Sequence, residues 1–273
     1  MSGNDKISRK IYLLRHAERV DFIMPQWYNT CFDAEGNYLR KDLNMPKSIP
    51  PRKDGPRGWI KDTPLSNVGV CQARLIGDSM KDKNITIDAV YVSPAFRCIQ
   101  TADTVLQELG LKETLPLRIE PGLYEWTGFV ESHFPQLYTP QELSTFGFNI
   151  DLSYQPQLSN QGLRDCLSET VPDLYRRNHT AMLHVLNETH AKNPSGNVLI
   201  VVHAISLETC TRFLLGKSDR PWSDLKTFFG KVGLCSMVAL EECNKKYTFV
   251  EPPGGPITQS SNDSFDWRIF LDA

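Results

Sequence analysis

Three short stretches end apolar runs on groups that could handle a phosphoryl group. Arg15-His16 closes the run Lys10-Ile11-Tyr12-Leu13-Leu14, Arg97 comes just after Ser93-Pro94, and His203 closes Val198-Leu199-Ile200-Val201-Val202. Phosphoryl transfer needs a nucleophile, donors for three equatorial oxygens and an acid for the leaving group. Arginine suits the oxygens because its planar fork stays charged and makes bidentate hydrogen bonds. Histidine suits the nucleophile because it is neutral near pH 7 and carries a lone pair. Neighbouring arginines favour that neutral form, since like charge disfavours imidazolium. A second histidine can carry a proton to the phosphate, and a carboxylic acid can protonate the departing oxygen. Taken alone, His203 reads as a buried structural histidine and Arg97 as a solvated residue at a helix start. Together with Arg15-His16 they read as a site.

The elements that must position these groups alternate between strand and helix. Strands are expected at 10–14, 87–92, 117–119, 198–202, 234–240 and 246–250 from short apolar runs bounded by turn residues. A helix capped by Ser66 follows, with Val68, Leu75 and Ile76 read as its inner face. A second helix carries Ala95, Ile99, Ala102, Leu106 and Leu109 and stops at Gly110. Further helices are expected over 170–190 and from Ser206 to Leu215, closed by Gly216. Segments 20–63 and 126–165 lack a sustained period and read as long loops, a length that is usually functional or disordered. This alternation predicts an α/β fold with a mostly parallel sheet covered on both faces, a three-layer α/β/α sandwich. Ligands in such sheets sit beyond the carboxyl ends of the strands, where all three stretches converge.

Composition narrows the partners. The 273 residues are 40% hydrophobic, enough for a substantial core, and 30 Lys+Arg against 32 Asp+Glu leave a net charge of −2. No basic excess exists to neutralise a nucleic-acid backbone or a membrane surface. Seven cysteines at 31, 71, 98, 166, 210, 235 and 243 include no C-x-x-C pair, which argues against a disulfide framework or thiolate metal site. Cys98, beside Arg97, reads as a packed thiol. His133, His179, His184 and His190 form no metal-binding spacing, so no metal or cofactor is expected. Met1 to Lys10 is polar and no run has membrane-spanning length, which predicts a cytoplasmic protein. The aromatics Trp27, Tyr28, Tyr124, Trp126 and Phe129 could line a pocket or belong to the core.

Leu14-Arg15-His16-Ala17-Glu18 resembles the Arg-His-Gly-Glu signature of the histidine phosphatase, or phosphoglycerate-mutase-like, superfamily. Thr63-Pro64-Leu65-Ser66-Asn67-Val68-Gly69, Ser93-Pro94-Ala95-Phe96-Arg97-Cys98-Ile99-Gln100-Thr101-Ala102 and Val202-His203-Ala204 follow in the order of that family's other blocks. Arg15-His16-Ala17-Glu18-Arg19-Val20-Asp21, Glu120-Pro121-Gly122-Leu123-Tyr124-Glu125-Trp126, Phe148-Asn149-Ile150-Asp151 and Phe265-Asp266-Trp267-Arg268 resemble one branch more narrowly. That branch holds the phosphatase domain of the suppressors of T-cell receptor signalling and insect ecdysteroid-phosphate phosphatase. Its ubiquitin-associated and Src-homology domains have no counterpart in these 273 residues.

The resemblance implies that residues 1–273 are one phosphatase domain with long insertions at 20–63 and 126–165. It implies that His16 is phosphorylated, that Arg15, Arg19, Arg97 and His203 cradle the phosphate, and that Glu125 is the proton donor and later the base. An exposed or ion-paired role for Arg19, and a surface role for Glu125, are the alternatives. Ala204, where other branches carry an aspartate, argues against a phytase-like activity. Ala17 departs from the family glycine and is tolerable only if its φ is negative. The activity expected is hydrolysis of a phosphomonoester, a phosphotyrosine protein or a small organic phosphate such as a steroid phosphate, and the resemblance suggests a homodimer. A phosphoglycerate mutase and an inactive scaffold are the competing readings.

Overall fold

The computed structural model describes residues 8–130, 133–254, 257–259 and 262–271, with 257–259 and 262–265 described by backbone alone. Residues 1–7 of the polar N-terminal stretch and the side chain of Phe265 therefore lie outside the described residues.

The chain runs β1 (Ser8–Arg15), α1 (Val20–Ile23), α2 (Asn67–Asp82), β2 (Ala89–Val92), α3 (Phe96–Glu108) and β3 (Leu117–Ile119). It continues through α4 (Pro140–Thr145), α5 (Asn160–Asp165), α6 (Val171–Lys192), β4 (Val198–Val202), α7 (Ala204–Thr209), α8 (Trp222–Phe229), β5 (Met237–Cys243) and β6 (Lys246–Val250). A small antiparallel pair, β7 (Ile257–Gln259) and β8 (Asn262–Phe265), follows. The main sheet has the order β3-β2-β4-β1-β5-β6. β3, β2, β4 and β1 pair in parallel, whereas β5 is antiparallel to both β1 and β6. The sheet is therefore mixed, with a parallel half that carries the chemistry.

Successive strand residues point to opposite faces, and two apolar layers follow from that alternation. Tyr12, Leu14, Val90, Val92, Leu199 and Val201 pack with α2 and α3 through Ala73, Ile76, Met80, Ile99 and Ala102. Ile11, Leu13, Tyr91, Val198, Ile200 and Val202 pack on the other face with Ala181, Met182 and Val185 of α6, Leu207 of α7 and Phe228 of α8. Helices thus cover both faces of the sheet.

Several details differ from the sequence reading. Val68 and Leu75 lie on the outer side of α2, and its buried face runs Gly69, Gln72, Ala73, Ile76, Gly77 and Met80. Small and polar residues occupy the inner face there because the helix lies close against another backbone. The expected helix 206–215 is α7, displaced toward His203, followed by a single 3-10 turn at Phe213–Leu215 that ends on left-handed Gly216. Segment 126–165 holds α4 and α5, each started by a side-chain cap, Thr139 in a capping box and Ser159. These caps are local signals that the absence of a long apolar period concealed. The helix α8 carries no expectation from sequence.

Candidate active site

Four adjacent parallel strands each lead to one group of the site. His16 follows β1, His203 follows β4, Arg97 stands at the start of α3 after β2, and Glu125 comes after β3 and a 3-10 turn at Pro121–Leu123. Because β1 and β4 are register partners up to Arg15 and Val202, the two histidines emerge side by side. Their rings lie 5.6 Å apart between centroids, edge to face. Both are buried.

Hydrogen bonds assign the ring nitrogens. His16 Nδ1 lies 2.8 Å from the Ala17 carbonyl, so Nδ1 must donate and Nε2 keeps its lone pair. Arg97 Nη2 donates across 3.1 Å to His203 Nδ1, so His203 carries its proton on Nε2 and donates to Ser93 Oγ at 2.8 Å. The same Arg97 nitrogen donates to Glu125 Oε2 at 2.9 Å. Burial, then Arg97, Arg15 and Arg19, hold the imidazole of His16 well below the ordinary histidine range. Burial and the same arginines, Arg97 foremost, do so for His203. Burial, only partly opposed by Glu125, draws Arg15 down to about 10, so it remains a cation at neutral pH. For Arg97 burial is the largest influence and opposes the charge, but Glu125, Tyr124, Cys98 and Asp62 together outweigh it and the guanidinium is strengthened as a cation.

Buried donors are left over. Arg15 Nε, Arg97 Nε, Arg97 Nη1 and Tyr124 Oη have no hydrogen-bond partner. Unpaired buried donors are costly, and a cluster of them on two arginines and a tyrosine is what a cradle for an oxyanion needs. Arg19 also pairs with Asp21 at 3.0 Å and lies 4.6 Å from the ring centre of Phe22, so the ion-pair alternative and the cradle position both describe it. The sequence-predicted residues Arg15, His16, Arg19, Arg97, Glu125 and His203 all belong to this one electrostatic group.

The signature residues around these groups build the loop after β1. Ala17 N–H donates to Thr101 Oγ at 3.1 Å and Glu18 N–H to the Gln72 side-chain oxygen at 2.9 Å. The Glu18 carboxylate accepts from Ser66 Oγ at 2.7 Å and Asn44 Nδ2 at 2.9 Å, while Ser66 N–H donates to the Glu18 carbonyl at 3.0 Å. Gly69 lets α2 approach that close: a Cβ there would be 3.0 Å from the carbonyl carbon and nitrogen of Glu18 and would overlap its oxygen. Ala17 does not have positive φ, which explains why alanine serves where the family has glycine.

A family model for the histidine phosphatase superfamily (branch 1) matches residues 51–251. The chain belongs to that superfamily. The ecdysteroid-phosphate phosphatase of Drosophila melanogaster is 43% identical over 96% of this chain and 34% of its own length. The human ubiquitin-associated and SH3 domain-containing protein B is 37% identical over 96% of this chain and 40% of its own length. The chain thus spans about a third to two fifths of the length of these relatives. A crystal structure of the ecdysone phosphate phosphatase from Bombyx mori with tungstate superposes with a TM-score of 0.81, at 34% identity, covering 96% of this chain and 99% of that one.

Within this superfamily member the aromatics divide. Trp27 and Tyr124 are core residues, and Tyr124 packs its ring 5.6 Å from that of His203. Trp126 and Phe129, half-buried, form a cluster with Trp222, with Trp126 and Trp222 ring centres 4.8 Å apart. Cys98 is buried and its thiol is pushed up to about 12, which makes it a packing residue. Among the described residues no group of three or more His, Cys, Asp or Glu side chains could hold a metal ion. No described helix is long and apolar enough to cross a membrane.

Sequence reasoning missed Asp62 and Arg52. Asp62 is fully buried, caps α3 through the Phe96 N–H at 2.8 Å and accepts from Arg52 Nη2 at 2.7 Å. It also stands 3.8 Å from Arg97 Nη1. Arg52 is sandwiched between the rings of Trp59 and Tyr138, at 4.2 and 3.7 Å. Segment 20–63 therefore has its own packing and reaches Arg97. The adjacency of Asp62 to the Thr63-Pro64-Leu65-Ser66 block was the available signal.

Proposed function

We propose that this chain is a metal-independent phosphomonoesterase that works through a phosphohistidine on His16, with residues 1–273 acting as one catalytic unit. The observation that carries this reading is the His16 Nδ1 bond to the Ala17 carbonyl, which leaves Nε2 as a neutral nucleophile among Arg15, Arg19 and Arg97, of which Arg15 and Arg97 keep unused buried donors. Arg15, Arg19 and Arg97 hold the phosphate oxygens, and His203 joins them when phosphate displaces Arg97 from its Nδ1 and that nitrogen takes the ring proton. His16 Nε2 attacks phosphorus in line, the nitrogen–phosphorus bond forms and the bond to the ester oxygen breaks. Phosphate that takes over Arg97 releases the Glu125 carboxylate, which accepts the proton carried by the substrate monoanion and passes it to that oxygen. Glu125 then takes a proton from water, whose oxygen displaces His16 and yields inorganic phosphate. The tungstate on the silkworm relative, a tetrahedral oxyanion, supports the same use of a matching cradle. The arginines and imidazoles supply the charge stabilisation, so no metal is needed.

The relatives' names point to phosphate esters of a steroid as the substrate class, and the signalling relatives are compatible with phosphotyrosine. We place the chain in the cytoplasm, in keeping with its seven free cysteines, and expect a homodimer as in the resembling branch. Turnover of para-nitrophenyl phosphate with a chelator present, lost in His16→Ala, supports the proposal. Absence of turnover in the wild type, or survival in His16→Ala, refutes it. Dependence on 2,3-bisphosphoglycerate would select the mutase alternative.

A further inference from the structure

Arg177 is the charged residue on the buried face of α6; its charge is felt at His203, but none of its hydrogen bonds described below goes to Arg15, Arg19, Arg97 or His203. Its fork is fully used. Nε and Nη2 donate to the two carboxylate oxygens of Glu169 at 2.9 and 2.6 Å. Nη1 donates to the carbonyls of Gly122 and Tyr124 at 3.0 and 2.9 Å, and Nη2 to the carbonyl of Glu125 itself at 3.1 Å. Glu169 in turn accepts from the Thr127 N–H at 2.9 Å, and its carbonyl takes the Trp126 indole N–H at 3.0 Å. The next residue on α6, Asn178, donates to the Gly122 carbonyl at 2.9 Å and accepts from Thr209 Oγ of α7, the helix that His203 caps. Residues 122–127 are thus tied to one guanidinium–carboxylate pair. This segment has only a 3-10 turn at each end and no strand neighbour to hold it.

We propose that Arg177, clamped by Glu169, is the positioning residue for Glu125 and that it serves the proton-transfer half of the reaction while leaving phosphate binding to the cradle. The inference rests on the assignment of Glu125 as proton donor. A general acid works only within hydrogen-bond reach of the leaving oxygen, and a displacement of about 1 Å can cost on the order of a hundredfold. Lysine keeps the charge but cannot reach three carbonyls and a carboxylate in one plane.

The test uses the full chain as wild type, Glu125→Gln, Arg177→Lys and Glu169→Gln. For each, kcat/KM, which reports the steps through cleavage of the ester bond, is measured on para-nitrophenyl phosphate, phenyl phosphate and an alkyl phosphate. Inhibition by tungstate reads the cradle, and a thermal melt reads the fold. Arg177→Lys is expected to leave tungstate inhibition within about twofold, because no cradle donor is lost. It should lower kcat/KM for the alkyl phosphate about tenfold more than for para-nitrophenyl phosphate, whose leaving group needs little help from an acid. Glu169→Gln should give the same pattern, which keeps the test open if Arg177→Lys does not fold. In the Glu125→Gln background Arg177→Lys should add nothing for the alkyl phosphate. An equal loss on all three substrates, or a parallel loss of tungstate inhibition, overturns the inference. If Glu125→Gln itself shows no leaving-group dependence, the assignment of Glu125 fails, and that failure is visible without the Arg177 variant.

Discussion

Two neutral, buried histidines make the stability of this protein depend on pH in a calculable way. The folded state holds His16 and His203 well below the ordinary value of 6.5, whereas the unfolded chain titrates near that value. Above pH 6.5 both states are neutral at these rings and stability is insensitive to them. Below it the unfolded chain takes up protons that the folded chain refuses, so stability falls as pH falls, by about 1.4 kcal/mol per unit for each ring. Between pH 7 and pH 5.5 each ring accounts for roughly 1.3 kcal/mol and the pair for roughly 2.5 kcal/mol, a large share of the 5–15 kcal/mol typical of a folded domain. Urea denaturation of wild type, His16→Gln and His203→Gln at a series of pH values measures this. Each variant should shed about 1.3 kcal/mol of the acid-side loss whatever its absolute stability. Groups common to both chains cancel in that difference. A wild-type-minus-variant difference that stays constant from pH 7 to pH 5.5 would refute the argument, since it would mean that the replaced ring charges as freely in the fold as out of it.

Gly69→Ala drives a methyl into the Glu18 backbone, which cannot move aside without shifting the His16 loop. It should cost about 1–3 kcal/mol in urea melts and lower kcat/KM in parallel. Arg97→Lys removes the nitrogen shared by Glu125 and His203 and should lower turnover of para-nitrophenyl phosphate about a hundredfold in steady-state assays. Asp62→Asn leaves the buried Arg52 cation uncompensated and should destabilise the fold by about 3–5 kcal/mol, and an additional Arg52→Met should recover part of that loss. Iodoacetamide should label the exposed Cys71 without loss of turnover, while the buried Cys98, its thiol pushed up to about 12, stays unlabelled by mass spectrometry.

What the sequence disclosed followed from periodicity and from strand ends. The runs leading to Arg15-His16 and His203 are strands buried on both faces, so they read as unbroken apolar stretches. The α6 stripe is equally legible because its partners are side chains, those of the sheet for Ala181, Met182 and Val185 and Ile205 and Leu225 for Leu174. On α2 the same reasoning puts Val68, Leu75 and Ile76 on the inner face, and of these only Ile76 is buried. There the inner surface meets the backbone of Glu18, and close backbone approach selects glycine and a hydrogen-bonding glutamine over bulk. Hydrophobic period measures contact with side chains and is blind to contact with main chain.

The same distinction separates the site residues that could be read from those that could not. In the proposed mechanism Arg15, His16, Arg97 and His203 act with their own side chains on an oxyanion, so their residue types announce the chemistry. Arg177 and Glu169 act on carbonyls and an N–H, groups that every residue carries and that leave no trace in composition. Their one visible mark is a charge on a face otherwise reserved for apolar residues, Arg177 falling three residues after Leu174 and four before Ala181. Asp62 bears the matching mark beside a recognisable block. A buried charge in such a place must be paired, and the pair must be holding something. Here it holds residues 122–127, which carry Glu125 to Arg97 between two 3-10 turns. On the proposed assignment the phosphate donors sit beside regular strands and helices, whereas the acid's position depends in large part on this ion pair. Substitutions in α6 should therefore change which leaving groups are tolerated before they change the affinity for phosphate.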